Sequence, residues 1–299
     1  MSIPNLTHYD LDGICSSIVL NSILKDKGGV TPIPVGYNRL NKVATTFIMK
    51  NKFGIVTDLN FTGELLDLIL RYGFKCLYID HHKTFFNTED FKGVNVYVNE
   101  KYCATANILT YFKNKGKQID SSFKKLAYYA NDYDMWILKE KQSQILNHIF
   151  WKMGFNTFYD MFRNGYDEKL CRSFENDFDT ELKNAENYLK SCKQQEIKYE
   201  SWKCLYITAS KYIDKVTILF PDYDYYFIVT DVHKMSIRTT TGYSLEYAFK
   251  EISTFDGIES AGCHEFAGGV NLKENLTENI CQDIFIKIME TVFEYVIVF

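Results

Sequence analysis

Three short apolar runs near the start of the chain each end in side chains that ionise or bind cations, and this repeated pattern limits the fold more than any other feature. Ile3–His8 leads into Asp10 and Asp12, Phe53–Asp58 closes on a carboxylate, and Cys76–Asp80 is followed by His81 and His82. Stretches with helical spacing, Ile14–Leu24 and Glu64–Arg71, lie between them. Strand and helix in alternation build a parallel sheet, because each crossover returns the chain to the same edge. Ligands of such sheets gather outside the carboxyl ends of the strands. Side chains far apart in the chain, from His8 to His82, are therefore expected at one edge of one sheet.

From Ser121 to Tyr199 the pattern becomes largely helical and closes in a charged stretch, Asp167–Tyr199, with few helix breakers. Lys203–Thr208, Tyr225–Asp231 and Met235–Thr240 then read as strands, and Leu245–Ile252 and Thr277–Val292 as helices. A length of 299 residues favours two domains. The expected fold is α/β: an N-terminal parallel-sheet domain over 1–175 with helices on both faces, a connecting helix over 176–200, and a smaller mixed α/β domain over 201–299.

Composition narrows the partners. A net charge of −4 lacks the positive field of a protein that coats long duplex DNA. The 8 cysteines form no Cys-x-x-Cys pair, which points away from a zinc knuckle or a disulfide framework and toward a reducing, cytoplasmic setting. No signal-like N-terminus and no apolar run long enough for a membrane span are seen, so a soluble protein is expected. The 22 Tyr and 23 Phe fit the codon bias of an AT-rich genome and carry no weight for nucleic-acid stacking by themselves.

His8-Tyr9-Asp10-Leu11-Asp12-Gly13 lies between a strand and a helix, where alternate side chains converge on one crevice. Alone, Asp-x-Asp-Gly reads equally well as a turn with a helix cap. Its companions add weight: Asp58, Asp80-His81-His82, and Asn131-Asp132-Tyr133-Asp134-Met135-Trp136 bring carboxylates and imidazoles without a cysteine. Such donors suit Mn²⁺ or Mg²⁺ better than structural zinc. They outnumber the needs of one ion, so a pair of divalent ions bridged by a carboxylate is expected, an arrangement suited to displacement at phosphorus.

In order and spacing these motifs resemble those of the DHH phosphoesterase superfamily. The resemblance implies Asp10, Asp12, Asp58, His81 and Asp134 as metal ligands, with Asp58 bridging the ions, His82 facing the scissile phosphate, and Asp80 orienting His81. His8 stands two residues before Asp10, where some members place this histidine four before, so its ligation stays open; Asp132 stays as the alternative to Asp134. Two Mn²⁺ ions are implied, with Mg²⁺ or Co²⁺ as substitutes. Further on, Ser260-Ala261-Gly262-Cys263-His264-Glu265-Phe266-Ala267-Gly268-Gly269 is similar to the Gly-Gly-His-x-x-Ala-Gly signature of the DHH-associated C-terminal domain, with Cys263 replacing a glycine. Ser236-Ile237-Arg238-Thr239 is similar to that domain's phosphate-binding strand. Substrate binding by Arg238, His264, Gly262 and Gly268 follows, through an arginine fork and the backbone N–H groups of a glycine-rich turn.

The first motif and Tyr133-Asp134-x-Trp136 look closest to the small oligoribonucleases called nano-RNases. The implied activity is hydrolysis of short oligoribonucleotides to mononucleotides at a site between the two domains. Rival readings are a single-strand DNA exonuclease of RecJ type, a phosphatase of 3′-phosphoadenosine 5′-phosphate, a hydrolase of linear or cyclic dinucleotides, and a nucleotide-binding regulator without catalysis. The expected partners are short single-stranded RNA or DNA, with no membrane; a homodimer stays open. His148 and His233 read as structural.

Overall fold

A computed structural model describes residues 2–61, 63–82, 94–231, 233–264, 266–273 and 278–298. The chain divides into two compact units, Met1–Glu175 and Asn176–Phe299.

The first unit runs β1 (Ile3–His8), α1 (Leu11–Ile23), β2 (Val30–Val35), α2 (Leu40–Lys50), β3 (Phe53–Thr57), α3 (Gly63–Tyr72), β4 (Lys75–Asp80), β5 (Val94–Val98), α4 (Ala104–Asn114), α5 (Ser121–Asp134), α6 (Lys141–Phe162) and α7 (Glu168–Ser173). All neighbouring strands pair in parallel, in the order β2-β1-β3-β4-β5. Helices α2 and α3 pack together and cover one face, where Leu40, Ala44, Phe47 and Ile48 of α2 meet Val56, Cys76 and Tyr78 of the sheet. Those four α2 residues recur at helical spacing, so the helix presents one apolar stripe to the core. Helices α1, α4, α5 and α6 pack against one another, and α1 and α4 also contact β1 and β4.

Strand β2 is not evident from the sequence because Pro32 and Pro34 lie within it. Proline cannot donate to a ladder and is tolerated on an edge strand, which β2 is. The order 2-1-3-4-5 makes the winding of the sheet reverse between β1 and β3, and crevices at such points are where α/β sheets bind ligands.

The second unit holds α8 (Glu175–Ser191), β6 (Gln194–Tyr199), β7 (Trp202–Thr208), α9 (Val216–Leu219), β8 (Tyr225–Asp231), β9 (Lys234–Thr239), α10 (Glu246–Ile252), β10 (Ile258–His264), β11 (Ala267–Leu272) and α11 (Glu278–Val298). Its sheet follows the order β10-β11-β9-β8-β7-β6, antiparallel except between β7 and β8. One face packs on α10 and α11 through residues such as Phe227, Phe249 and Ile288, and the other on Leu189 of α8 and Val216 of α9.

The helix expected over 176–200 covers Glu175–Ser191, and the rest of that span is a strand. Ile197 and Tyr199 alternate with the more exposed Glu196 and Lys198 at the strand period, and Glu200, at φ 52, turns the chain into β7. The glycine-rich segment expected as a turn is instead the hairpin β10-β11, in which Gly262 pairs with Gly269 and Cys263 with Gly268. Among the described residues no helix is long and apolar enough to cross a membrane.

Candidate metal centre

The site begins at the ends of β1 and β3, held in register by a buried polar network. Asn5 Nδ2 donates to Thr57 Oγ1 at 3.1 Å, Thr57 Oγ1 to Thr7 Oγ1 at 2.9 Å, and Thr7 Oγ1 to the Gly13 carbonyl at 2.9 Å. Ser17 Oγ of α1 donates to Asn5 Oδ1 at 2.7 Å. Every polar group in this set finds a partner, which fixes strand and helix without an unsatisfied donor. Gly13 is required here by close approach: a Cβ at that position would lie 2.1 Å from the His8 carbonyl oxygen.

Asp10 caps α1, its Oδ1 accepting from Gly13 N at 2.8 Å, while Oδ2 lies 2.6 Å from His8 Nδ1. Asp12 is buried in the first turn of the same helix, and its two oxygens accept from Ala104 N and Thr105 N at 2.7 and 2.9 Å. Those are unpaired amides of the first turn of α4, where the helix dipole favours a negative charge. Asp58 follows β3 with φ 57, a left-handed conformation that Asp adopts more readily than most residues but that still stores strain. That backbone turns the carboxylate inward, with Oδ1 3.2 Å from His81 Nε2 and Oδ2 3.9 Å from His8 Nδ1.

Asp134, at the end of α5, places Oδ2 3.5 Å from His81 Nε2. Asp132 does something else. Its carboxylate accepts from Lys139 N and Glu140 N at 3.1 Å each and from Ser143 Oγ at 2.5 Å, so it braces the entry to α6. Of the two aspartates left open by the sequence, Asp134 is the one among the clustered donors.

Asp80, expected to orient His81, stands instead against His82, with Oδ1 2.8 Å from Nδ1, and its Oδ2 accepts from Tyr78 Oη at 3.0 Å. The reason is strand geometry: Tyr78, Asp80 and His82 alternate onto one side. His82 Nε2 lies 3.2 Å from Tyr37 Oη, and the Tyr37 ring packs 4.8 Å from the His8 ring. Sequence reasoning misses Tyr37 because the prolines of β2 hide the strand that delivers it.

Among the described residues three groups of donors each hold their ligand atoms within 4.8 Å of one another: His8, Asp10 and Asp58; Asp12, His81 and Asp134; and Asp58, Asp80, His81 and His82. Burial pushes the Asp58 carboxyl far above its ordinary range, and the charges of Asp10, Asp12 and Asp134 push it further. Burial raises Asp134 likewise, followed by Asp12 and Asp10. Partial burial opposes the charge of Asp10 too, but His8 outweighs that and brings its pKa down to about 2. Burial opposes a charge on His8, yet Asp10 leaves the imidazole above its usual value. For Asp80, burial is outweighed by His82, with a net lowering. Asp58 Oδ2 and Asp134 Oδ2 are buried and make no hydrogen bond. Buried carboxylate oxygens without donors, crowded by further carboxylates, fit a divalent cation.

In the second unit, Arg238 of β9 sets Nη1 2.9 Å from the Ile237 carbonyl and 3.0 Å from that of Gly268. Gly268 is buried against Phe249, which a Cβ would meet at 2.2 Å, whereas Gly262 is exposed with nothing within 4 Å of such an atom. The side chain of His264 lies outside the described residues.

Residues 3–130 match the model of the DHH family, N-terminal domain. No curated protein matches the chain in sequence. Among solved structures, a DHH domain from a member of the s1p family of ribosomal proteins is 14% identical, with a TM-score of 0.68 over 97% of this chain and 86% of that one. An exopolyphosphatase-related protein from Bacteroides fragilis is 14% identical, with a TM-score of 0.57 over 97% and 92%. RecJ from Thermus thermophilus, solved in complex with Mn²⁺, is 13% identical, with a TM-score of 0.56 over 98% of this chain and 52% of RecJ. These likenesses are of fold; the family match adds that residues 3–130, which carry the donors from His8 to His82, are similar to a DHH-family N-terminal domain.

Proposed function

We propose that the chain is a metal-dependent phosphodiesterase that hydrolyses short oligoribonucleotides to mononucleotides, with two Mn²⁺ ions as cofactor. Members of the DHH family are metal-dependent phosphoesterases. The observation that carries the reading is that Asp58 and His81 each belong to two of the donor groups, so that one buried cluster offers ligands for more than one cation. His8, Asp10, Asp12, Asp58, His81 and Asp134 would hold the ions, with Asp58, a member of two donor groups, as the ligand they would share. When bound, such ions activate water at neutral pH and offset the charge of the phosphoryl group.

The protein's own part is to orient and to hold. His82 keeps Nδ1 against Asp80, so Nε2 is the atom turned toward Tyr37 and toward phosphoryl oxygens entering the crevice. Arg238, His264, Gly262 and Gly268 of the second unit would bind a substrate phosphate. Arg238 suits the task because its Nη1 is already fixed on two carbonyls, which presets the plane of the fork. A net charge of −4 favours a short substrate that needs few phosphate contacts.

The fold shared with RecJ supports single-strand DNA exonuclease activity as a second reading, although the chain spans only 52% of RecJ's length. Incubation with Mn²⁺ and end-labelled RNA and DNA, from dinucleotides to twenty-mers, separates the two. Rapid turnover confined to the shortest RNA supports the first reading, and degradation of long DNA supports the second. Adenosine 3′,5′-bisphosphate and cyclic dinucleotides complete the panel. If all of these substrates survive while one still binds, the chain is a nucleotide-binding regulator and the hydrolytic reading fails.

A further inference from the structure

Trp151 of α6 exposes 61% of its surface, more than any other large apolar side chain among the described residues. Its ring lies 6.3 Å from that of Tyr9, which is itself 39% exposed. Tyr9 stands between His8 and Asp10, so it adjoins the donor cluster on both sides in sequence. Its backbone is fixed, with Tyr9 N donating to the Val35 carbonyl at 3.1 Å, and Phe150 and Phe155 support its ring at 5.6 and 5.8 Å.

A continuous helix could not supply that support. Residues five apart on an α-helix point roughly 140° away from each other. Within α6 the chain breaks at Gly154, with φ 73 and ψ 167, a backbone conformation almost confined to glycine. The break turns the second half of the element so that Phe150 before it and Phe155 after it both reach Tyr9. The result is two exposed rings on a rigid aromatic base, one of them carried by the residue between His8 and Asp10 of the donor cluster.

We propose that Tyr9 and Trp151 form a stacking subsite for a nucleobase of the substrate, the base belonging to the nucleotide whose phosphate meets the donor cluster. This rests on the phosphodiesterase reading and deepens it: the subsite selects nucleotides over polyphosphates and other base-free phosphoesters. Flat aromatic faces accept any base, so RNA sequence matters little at this position.

The test uses the full chain, Mn²⁺, an adenine dinucleotide and its abasic counterpart. Trp151→Ala should raise KM for the adenine dinucleotide about tenfold, in keeping with the usual worth of one base stack, and leave kcat within about twofold. Trp151→Phe should recover most of that loss, and KM for the abasic substrate should be the same in both proteins. Removing so exposed a ring leaves the fold intact, which circular dichroism checks. An unchanged KM for the adenine dinucleotide, or an equal loss on the abasic one, overturns the subsite. Binding gives an independent readout: a phosphorothioate-linked adenine dinucleotide should quench indole fluorescence more in the native chain than in Trp151→Phe, which keeps Trp136 and Trp202. If no dinucleotide is hydrolysed, the phosphodiesterase reading fails by itself; the quenching then still decides the subsite, which falls if quenching is absent or undiminished in Trp151→Phe.

Discussion

The first unit's sheet is parallel throughout, while the second's reverses direction at every pairing except β7–β8, and that difference decides what kind of site each can build. Parallel strands end at one edge, so β1, β3 and β4 deliver His8, Asp58 and Asp80 to a common crevice from positions far apart in the chain. The cost is electrostatic: burial and neighbouring carboxylates push Asp58 and Asp134 above their ordinary range. In the second unit strand ends point both ways, and polar groups meet sideways across the ladder, as Arg238 of β9 meets the Gly268 carbonyl of β11. One sheet concentrates charge that a cation must offset. The other fixes a single cationic fork with backbone carbonyls.

The sharpest way to break that contrast is to remove the residue shared between donor groups. Asp58→Asn keeps the size of the side chain and its tolerance of a left-handed backbone. Hydrolysis of a dinucleotide with Mn²⁺ should fall by about 10³-fold or more, as for other residues that act as a unit in a catalytic centre. The metal-free protein should lose no stability, because burial and the Asp10, Asp12 and Asp134 charges all disfavour the Asp58 carboxylate. Steady-state kinetics and thermal melting measure both. Activity within tenfold of the native chain would remove Asp58 from the centre.

The same contrast explains what can be read in advance. The parallel sheet is legible because its inner strands β3 and β4 are largely apolar runs, and the charged termini of β1, β3 and β4 announce the crevice. Tyr37 is not, because an edge strand tolerates the prolines that disguise it. The roles of Asp132 and Asp80 are also hidden. Asp132 and Asp134 share a helix end, and only the path of the chain through Lys139 and Glu140 shows which carboxylate is occupied by amides. Asp80 and its two histidines are adjacent, and only the strand's alternation assigns it to His82. In the second unit the glycines suggest a turn, whereas Gly268 is dictated by the approach of Phe249 within a hairpin. Spacing identifies which residues converge; it does not say which partner each one takes.

Stability sharpens the distinction between the two helix-end aspartates. Mn²⁺ at a hundredfold excess over its dissociation constant should stabilise the native chain by about 2.7 kcal/mol, provided the unfolded chain binds it negligibly. Asp134→Asn should leave the metal-free melting temperature nearly unchanged and abolish most of the Mn²⁺-dependent rise. Asp132→Asn should do the reverse, lowering metal-free stability by about 1–3 kcal/mol as the Lys139 and Glu140 amides and the buried Ser143 hydroxyl lose a charged acceptor, while keeping the Mn²⁺ effect. Exchanged outcomes would reassign the ligand to Asp132.

A smaller effect is expected one step out from the ions. Asp80→Asn retains the shape of the contact with His82 but removes the charge that holds its Nδ1–H. Loss of such supporting partners typically costs about 10–100-fold in activity or metal affinity. Here the loss should appear in kcat, with the Mn²⁺ requirement unchanged, because Asp80 lies against His82 and accepts from Tyr78. A raised Mn²⁺ requirement at unaltered kcat would place Asp80 among the ligands instead.

The second unit supplies the mildest prediction and the clearest separation of roles. If Arg238 holds substrate and takes no part in the chemical step, Arg238→Ala should raise KM by about tenfold, the worth of one charge-assisted contact, with kcat almost unaltered. Arg238→Lys should fall between the two, since a lysine keeps the charge and loses the planar fork. The substitution also deletes two bonds to the carbonyls of Ile237 and Gly268, so a change in melting temperature alone decides nothing. The split between KM and kcat does decide. Uniform interactions with substrate and transition state move KM, while groups acting on the reacting phosphate move kcat. A fall in kcat at constant KM would mean that the antiparallel sheet takes part in the chemistry, and the division of labour between the two sheets would have to be abandoned.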